Sequence, residues 1–279
     1  MKLGEVKRRL AERSLKRMLG GSPPPSLPRS SVRVLQVLRD PEVSSDEIGE
    51  ALEWDPTLTV KLLGTVNSAA FAPRHEIHDV RHAITYLGRA QLESLVLAVV
   101  ALRASSDALP RAIDGAHFWY VAARRAAAAR ALGEALDPGH AGAAFTATLL
   151  ADFAIPVLAA VFGERYADFA AGWETHDGAA AVQLEHAALG VDHARAGGML
   201  ARSWGLPNEI AAAIETHHGE PESVDTASIV QLAARAPARG DGAEWSEWVA
   251  EGTGIETARV ADDWAASHAQ ADELARALG

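Results

Sequence analysis

An all-α fold is what this sequence predicts, and three observations carry it. Alanine dominates the composition, aromatic residues make up 6%, and β-branched runs are scarce. That is the usage of helices rather than strands. Apolar residues recur at three- and four-residue spacing through most of the chain, the period of a helix that buries one face. Starts and stops are explicit: Asp or Ser ahead of a periodic stretch, Gly or Pro after it. No stretch reads as a strand, and no short internal repeat is present.

The first periodic stretch is residues 2–19, where Leu3, Val6, Leu10, Leu15, Met18 and Leu19 form an apolar stripe with bases opposite. Gly20-Gly21 stops it, and Pro23-Pro24-Pro25 makes a stiff spacer. A short helix over residues 31–39 ends at Asp40-Pro41. Ser44 and Glu47 have the spacing of a capping box, with the hydroxyl on a free amide and the carboxylate reaching back. Asp55-Pro56 offers an N-cap and a first-turn proline for the next helix. Ile77 to Ala104 reads as two helices broken at Gly88, and Ile113 to Leu136 as one long alanine-rich helix ended by Asp137-Pro-Gly.

Ala144 to Phe162 is the longest apolar run and holds one charge, Asp152. It reads as a helix buried in a core. Asp152 and Pro156 argue against a membrane span. A lone carboxylate there needs a partner, because burying it unpaired costs several kcal/mol. Further helices are expected over 164–175, 179–189, 192–204, from Gly205-Leu-Pro207 to His217-His218, and over 224–235. A helical tail from Asp241 carries Trp245, Trp248 and Trp264, which are read as core or interface.

Charge and composition narrow the function. The net charge is −11, but residues 1–20 carry seven bases against two acids, a balance of +5 that leaves −16 on the rest. An acidic body is a poor nucleic-acid binder. The basic arm is expected to bury its stripe on the body or on a second copy, giving a homodimer, ahead of a membrane, since it has no aromatic anchor. There is no cysteine, hence no thiolate nucleophile or ligand. The start lacks the apolar core of a signal peptide, so a cytoplasmic location is expected. Neither a Gly-x-Ser-x-Gly motif nor a phosphate-binding loop is present. His75, His78 and His82 share a helical spacing but read as an exposed edge.

Two blocks of residues resemble a known family. The first is Leu27-Pro-Arg, then Asp55-Pro-Thr-Leu through Asn67-Ser-Ala-Ala-Phe71, then Ile77 to Gly88. The second is Phe118-Trp119, Leu149-Leu-Ala-Asp152, Glu185, Leu189-Gly-Val-Asp-His193, Gly197, Trp204-Gly-Leu-Pro207 and His217-His218. Together, over roughly residues 25–236, they resemble the HDOD domain, the HD-related output domain of bacterial signal transduction. The polar break at Ser105-Ser106-Asp107 and Pro110 favours two lobes over a single core within it, an N-terminal helical lobe over 25–107 and an HD-type helical bundle over 108–236, although two tightly packed lobes would read the same as one. The arm and linker, 1–24, precede them, and the tail, 237–279, follows.

The resemblance also implies what the chain has lost. Phosphohydrolases of the HD type hold one or two metal ions with an early His, a His-Asp pair, later His residues and a final Asp. At those positions this chain has Val121 for the early His, Ala151 beside the surviving Asp152, His193 and His217 with His218 next to it, and Ala234 for the final Asp. Three positions therefore carry side chains that bind no metal. No catalytic residue, metal or cofactor is expected. Asp152, His193, His217 and His218 are the candidate ligand-binding remnant of the cleft. His217 and His218 fall at a helix C-terminus, where a His can cap carbonyls. The expected function is a non-catalytic, stand-alone signalling or regulatory protein that binds a signalling partner or small ligand. The alternative is a degenerate metal-dependent phosphohydrolase acting on a nucleotide or cyclic dinucleotide.

Overall fold

Helix after helix follows the capping signals of the sequence. A computed structural model describes residues 16–21, 27–53, 55–106, 109, 113–175 and 178–278, and these hold fifteen α-helices, one 3-10 turn and no strand. Helices α1 (Arg29–Arg39), α2 (Ser45–Glu53), α3 (Pro56–Asn67), α4 (Val80–Leu87) and α5 (Arg89–Ser106) form the first half. Ser44 and Glu47 make the expected box, with the Ser44 amide donating to the Glu47 carboxylate at 2.8 Å. Asp55 caps α3 by accepting from the Leu58 amide at 3.1 Å. Between α4 and α5 Gly88 takes φ +76, and the two helices bend by 117° there. Asn67 pins the loop between α3 and α4, donating to the Ile77 carbonyl and accepting from the Ile77 amide.

The second half contains α6 (Gly115–Leu136), α7 (Pro138–Leu149), α8 (Ala154–Phe162), α9 (Glu164–Ala171) and the 3-10 turn Trp173–Thr175. It continues with α10 (Gly178–Leu189), α11 (His193–Trp204), α12 (Asn208–Glu215) and α13 (Thr226–Ala234). Helix α6 is the axis, packed by α7, α13 and the tail. Its approach to α7 requires Gly133: a Cβ there would lie 2.6 Å from the Ala141 Cα. Of the tail helices α14 (Ala243–Thr253) and α15 (Thr257–Leu278), α15 closes over α6 and α14 packs on α15. There the buried Arg124 guanidinium stacks 3.5 Å from the Trp264 ring centroid. Burial pulls the Arg124 pKa down to about 10. Trp245 and Trp264 are core residues, as expected of them.

One expectation is corrected. The apolar run is not one helix but two, α7 and α8, parted by a turn at Leu150–Phe153. Pro156 explains the break. It has no N–H to offer the Asp152 carbonyl four residues back, and its ring crowds that carbonyl. By length and composition Pro138–Phe162 could cross a membrane, but 78% of its most apolar window is buried inside the protein.

Most of the expected N-terminal helix, residues 2–15, lies outside the described residues. Its last turn does not. Lys16–Met18 is helical, Leu19 is fully buried, and Gly20 and Gly21 turn the chain away at φ +61 and +92. Buried apolar side chains from Leu19 to Leu274 form one continuous cluster.

Candidate functional site

Four elements deliver side chains to one point. The turn between α7 and α8 presents Asp152, whose placement follows from the Pro156 break. The start of α11 presents His193, held in register by Asp192, which caps the helix through the Arg195 amide at 2.7 Å. The turn after α12 presents His217 and His218. Helix α6 presents Arg125. All four sequence-predicted residues, Asp152, His193, His217 and His218, come together, each offering one donor atom within 4.8 Å of the others.

The orientations are as informative as the distances. His193 Nδ1 faces the buried Glu185 carboxylate at 2.6 Å, and the His193 amide donates to the same oxygen at 3.0 Å. Tyr166 donates its hydroxyl to the other Glu185 oxygen. His217 Nδ1 donates to the Ile214 carbonyl at 2.7 Å, closing the end of α12. With both Nδ1 atoms committed, both Nε2 atoms point inward. His193 Nε2 lies 3.3 Å and His217 Nε2 3.5 Å from Asp152 Oδ1, and His218 Nε2 lies 2.9 Å from His193 Nε2. His217 Nε2 is buried and has no hydrogen-bond partner.

These residues fit one divalent ion. Donors at ~2.1 Å from a tetrahedral ion lie ~3.4 Å apart, and the separations here bracket that value. Outer acceptors that fix the tautomers of ligating histidines are the usual support of such a centre, and Glu185 and the Ile214 carbonyl occupy that position. Asp152, His193, His217 and His218 would hold the ion. Gly178 at the start of α10 leaves room for His218, since a Cβ there would lie 2.4 Å from His218 Nδ1.

Protons fill part of the ion's place otherwise. Burial would lower the His193 pKa, but the charges and hydrogen bonds of Glu185 and Asp152 outweigh it and raise it to about 10. Burial, with His217 and His193 nearby, holds His218 far below the usual imidazole range, so it is neutral and accepts from His193. Burial would raise Asp152, but His193, His217 and Arg125 hold it well below the usual carboxylate range.

The opposite face of Asp152 differs. Its Oδ2 accepts from Arg125 Nη1 at 3.2 Å, and Arg125 Nε donates to the Ala236 carbonyl at 2.9 Å. Val121 and Ala151 are buried apolar residues and Ala234 ends α13, so none of the three supplies a donor. The sequence shows these losses but gives no sign of Arg125, an arginine beside another in an alanine-rich helix. Glu185 appears in the sequence pattern, but its support of His193 emerges only from the packing. His75, His78 and His82 are exposed and join no donor cluster among the described residues.

A cleft of about 510 Å³ opens beside His218, walled by Val182, Gln183, Arg195, Glu215 and Thr216. A larger hollow of about 870 Å³ lies between the start of α6 and the end of α15, and none of the four donors lines it.

The sequence pattern of the HDOD domain matches residues 25–220. The chain belongs to the HDOD domain family. No curated protein matches the sequence. Solved structures share the fold. A Shewanella amazonensis SB2B protein carrying the provisional name phosphohydrolase has a TM-score of 0.72 at 23% identity, over 96% of this chain and 99% of that one. A second protein of that organism, provisionally a metal-dependent phosphohydrolase, has a TM-score of 0.66 at 16% identity, over 100% of both chains. A Marinobacter aquaeolei VT8 protein, provisionally of signal transduction, has a TM-score of 0.63 at 21% identity, over 98% of this chain and 66% of that one. The HDOD chain described here thus shares its all-helical fold with these proteins.

Proposed function

We propose that this HDOD protein is a non-catalytic signalling module that binds a protein partner or small ligand, with its old HD cleft reduced to a single-ion centre. The observation that carries this is the split around Asp152. One side gathers three imidazoles and the other faces Arg125, while the positions where the resemblance calls for further ligands hold Val121, Ala151 and Ala234. Four protein donors complete the tetrahedral set of a zinc-class ion. Structural sites are closed in this way, whereas hydrolytic sites keep a position for water. A bound ion would polarise and order the groups it touches. The residues of this chain supply the orientation: Glu185 fixes His193, the Ile214 carbonyl fixes His217, and Asp152 joins them.

The test is a panel of nucleotides, phosphate esters and cyclic dinucleotides with manganese, iron or magnesium. No turnover is expected. Turnover that disappears in Asp152→Ala would overturn the reading. The second reading, a degenerate phosphohydrolase, draws support from the cleft at His218. His218 is the donor on that wall, and its departure would leave three ligands and an open position.

A further inference from the structure

We propose that Arg125 is a built-in cation that occupies the position of a second ion in this cleft, so the centre accepts one divalent ion and refuses another. The proposal rests on reading Asp152, His193, His217 and His218 as an ion-holding set. It concerns the other side of the same carboxylate.

Asp152 is shared between two cationic neighbourhoods. Its Oδ1 faces the imidazoles of His193 and His217, and its Oδ2 accepts from Arg125 Nη1. A carboxylate placed so, with one oxygen to each side, is how two ions about 3.5–4 Å apart are joined. The three positions without donors lie on the elements that carry or bind Arg125. Val121 is four residues before Arg125 on α6, and so on the same helix face. Ala151 adjoins Asp152 itself. Ala234 lies two residues before Ala236, whose carbonyl accepts from Arg125 Nε. The guanidinium is therefore tied to two of the three elements where ligands are missing, and it stands on the third.

The substitution makes electrostatic sense. Without ligands at 121, 151 and 234 an ion could not be held at that oxygen, and Asp152 keeps only 13% of its side chain exposed. A largely buried carboxylate oxygen facing no cation is costly. Arginine supplies a permanent positive charge with directed donors, needs no coordination sphere, and cannot dissociate. It also cannot polarise a water as an ion would, which separates the charge balance of an HD cleft from its chemistry.

Calorimetric titration of the full chain with Mn²⁺ tests this. Four proteins are compared: wild type, Arg125→Gln, a triple variant with Val121→His, Ala151→His and Ala234→Asp, and the triple variant with Arg125→Gln added. The expected stoichiometries are one, one, one and two. Arg125→Gln alone should bind its ion several-fold more tightly, because a like charge has been removed. Two ions in the triple variant with Arg125 present would overturn the proposal. So would a folded quadruple variant that takes only one. If circular dichroism shows the multiple variants unfolded, Arg125→Gln decides, and weaker or unchanged binding overturns it. Wild type taking none while the quadruple variant takes two would leave the Arg125 assignment standing and sink the single-ion reading of the native cleft.

Discussion

His193 carries the charge on which the ion-free site depends. Its pKa is raised to about 10 against burial, chiefly by the Glu185 charge, from an unfolded value near 6.5. A raised pKa means the folded state holds the proton more tightly than the unfolded one. The resulting stability is full below pH ~6.5 and is lost as pH rises through about 10. Asp152 has the opposite sign, because its folded pKa is depressed. Its contribution is present above the unfolded value near 3.9 and lost on acidification below it. The melting temperature of the ion-free protein should therefore fall between pH 7 and 10, and Glu185→Gln should flatten that slope. An unchanged slope in the variant would show that Glu185 does not hold the His193 proton. At this scale the sequence marked Asp152 as a lone charge in an apolar run, but His193, His217 and His218 stood out only through the family resemblance, since a place after a cap or at a helix end speaks equally for a capping role. Arg125 stayed hidden, since its partner is 27 residues away and no local spacing reports it.

Among the elements, capping chemistry was legible and long-range seating was not. Ser44, Asp55, Gly88 and Asp192 mark boundaries through interactions within a few residues, and the helices begin and end beside them. The Leu150–Phe153 turn was missed because an apolar run looks continuous, although Pro156 was the signal that broke it. The arm shows the same limit. Its stripe was visible, but only the packing reveals that Leu19 is seated in the core with Gly20 and Gly21 turning after it. Leu19→Ala should cost about 2–5 kcal/mol in chemical denaturation, the range for fully buried leucines. A loss within about 0.5 kcal/mol, as at surface positions, would mean the last turn of the arm does not belong to the folded body.

Over the whole molecule, α6 links the parts. One arginine of that helix, Arg124, lies under the Trp264 ring of the tail, and the next, Arg125, faces Asp152. The helical class was readable from composition and period because nearly every helix is long enough to show its face. The closure of α15 over α6 was not, because it depends on contacts made across more than a hundred residues, such as Arg124 Nε to Ser267 Oγ at 3.3 Å. The proposed cleft keeps one ion position, with the Arg125 guanidinium in place of the other. X-ray absorption on the zinc-loaded protein measures this directly. One zinc per chain is predicted, with a shell of four nitrogen and oxygen donors at ~2.0–2.2 Å and no second metal in the outer shell. A protein that takes up no zinc, or one with a metal–metal vector at ~3.5–4 Å, would contradict it.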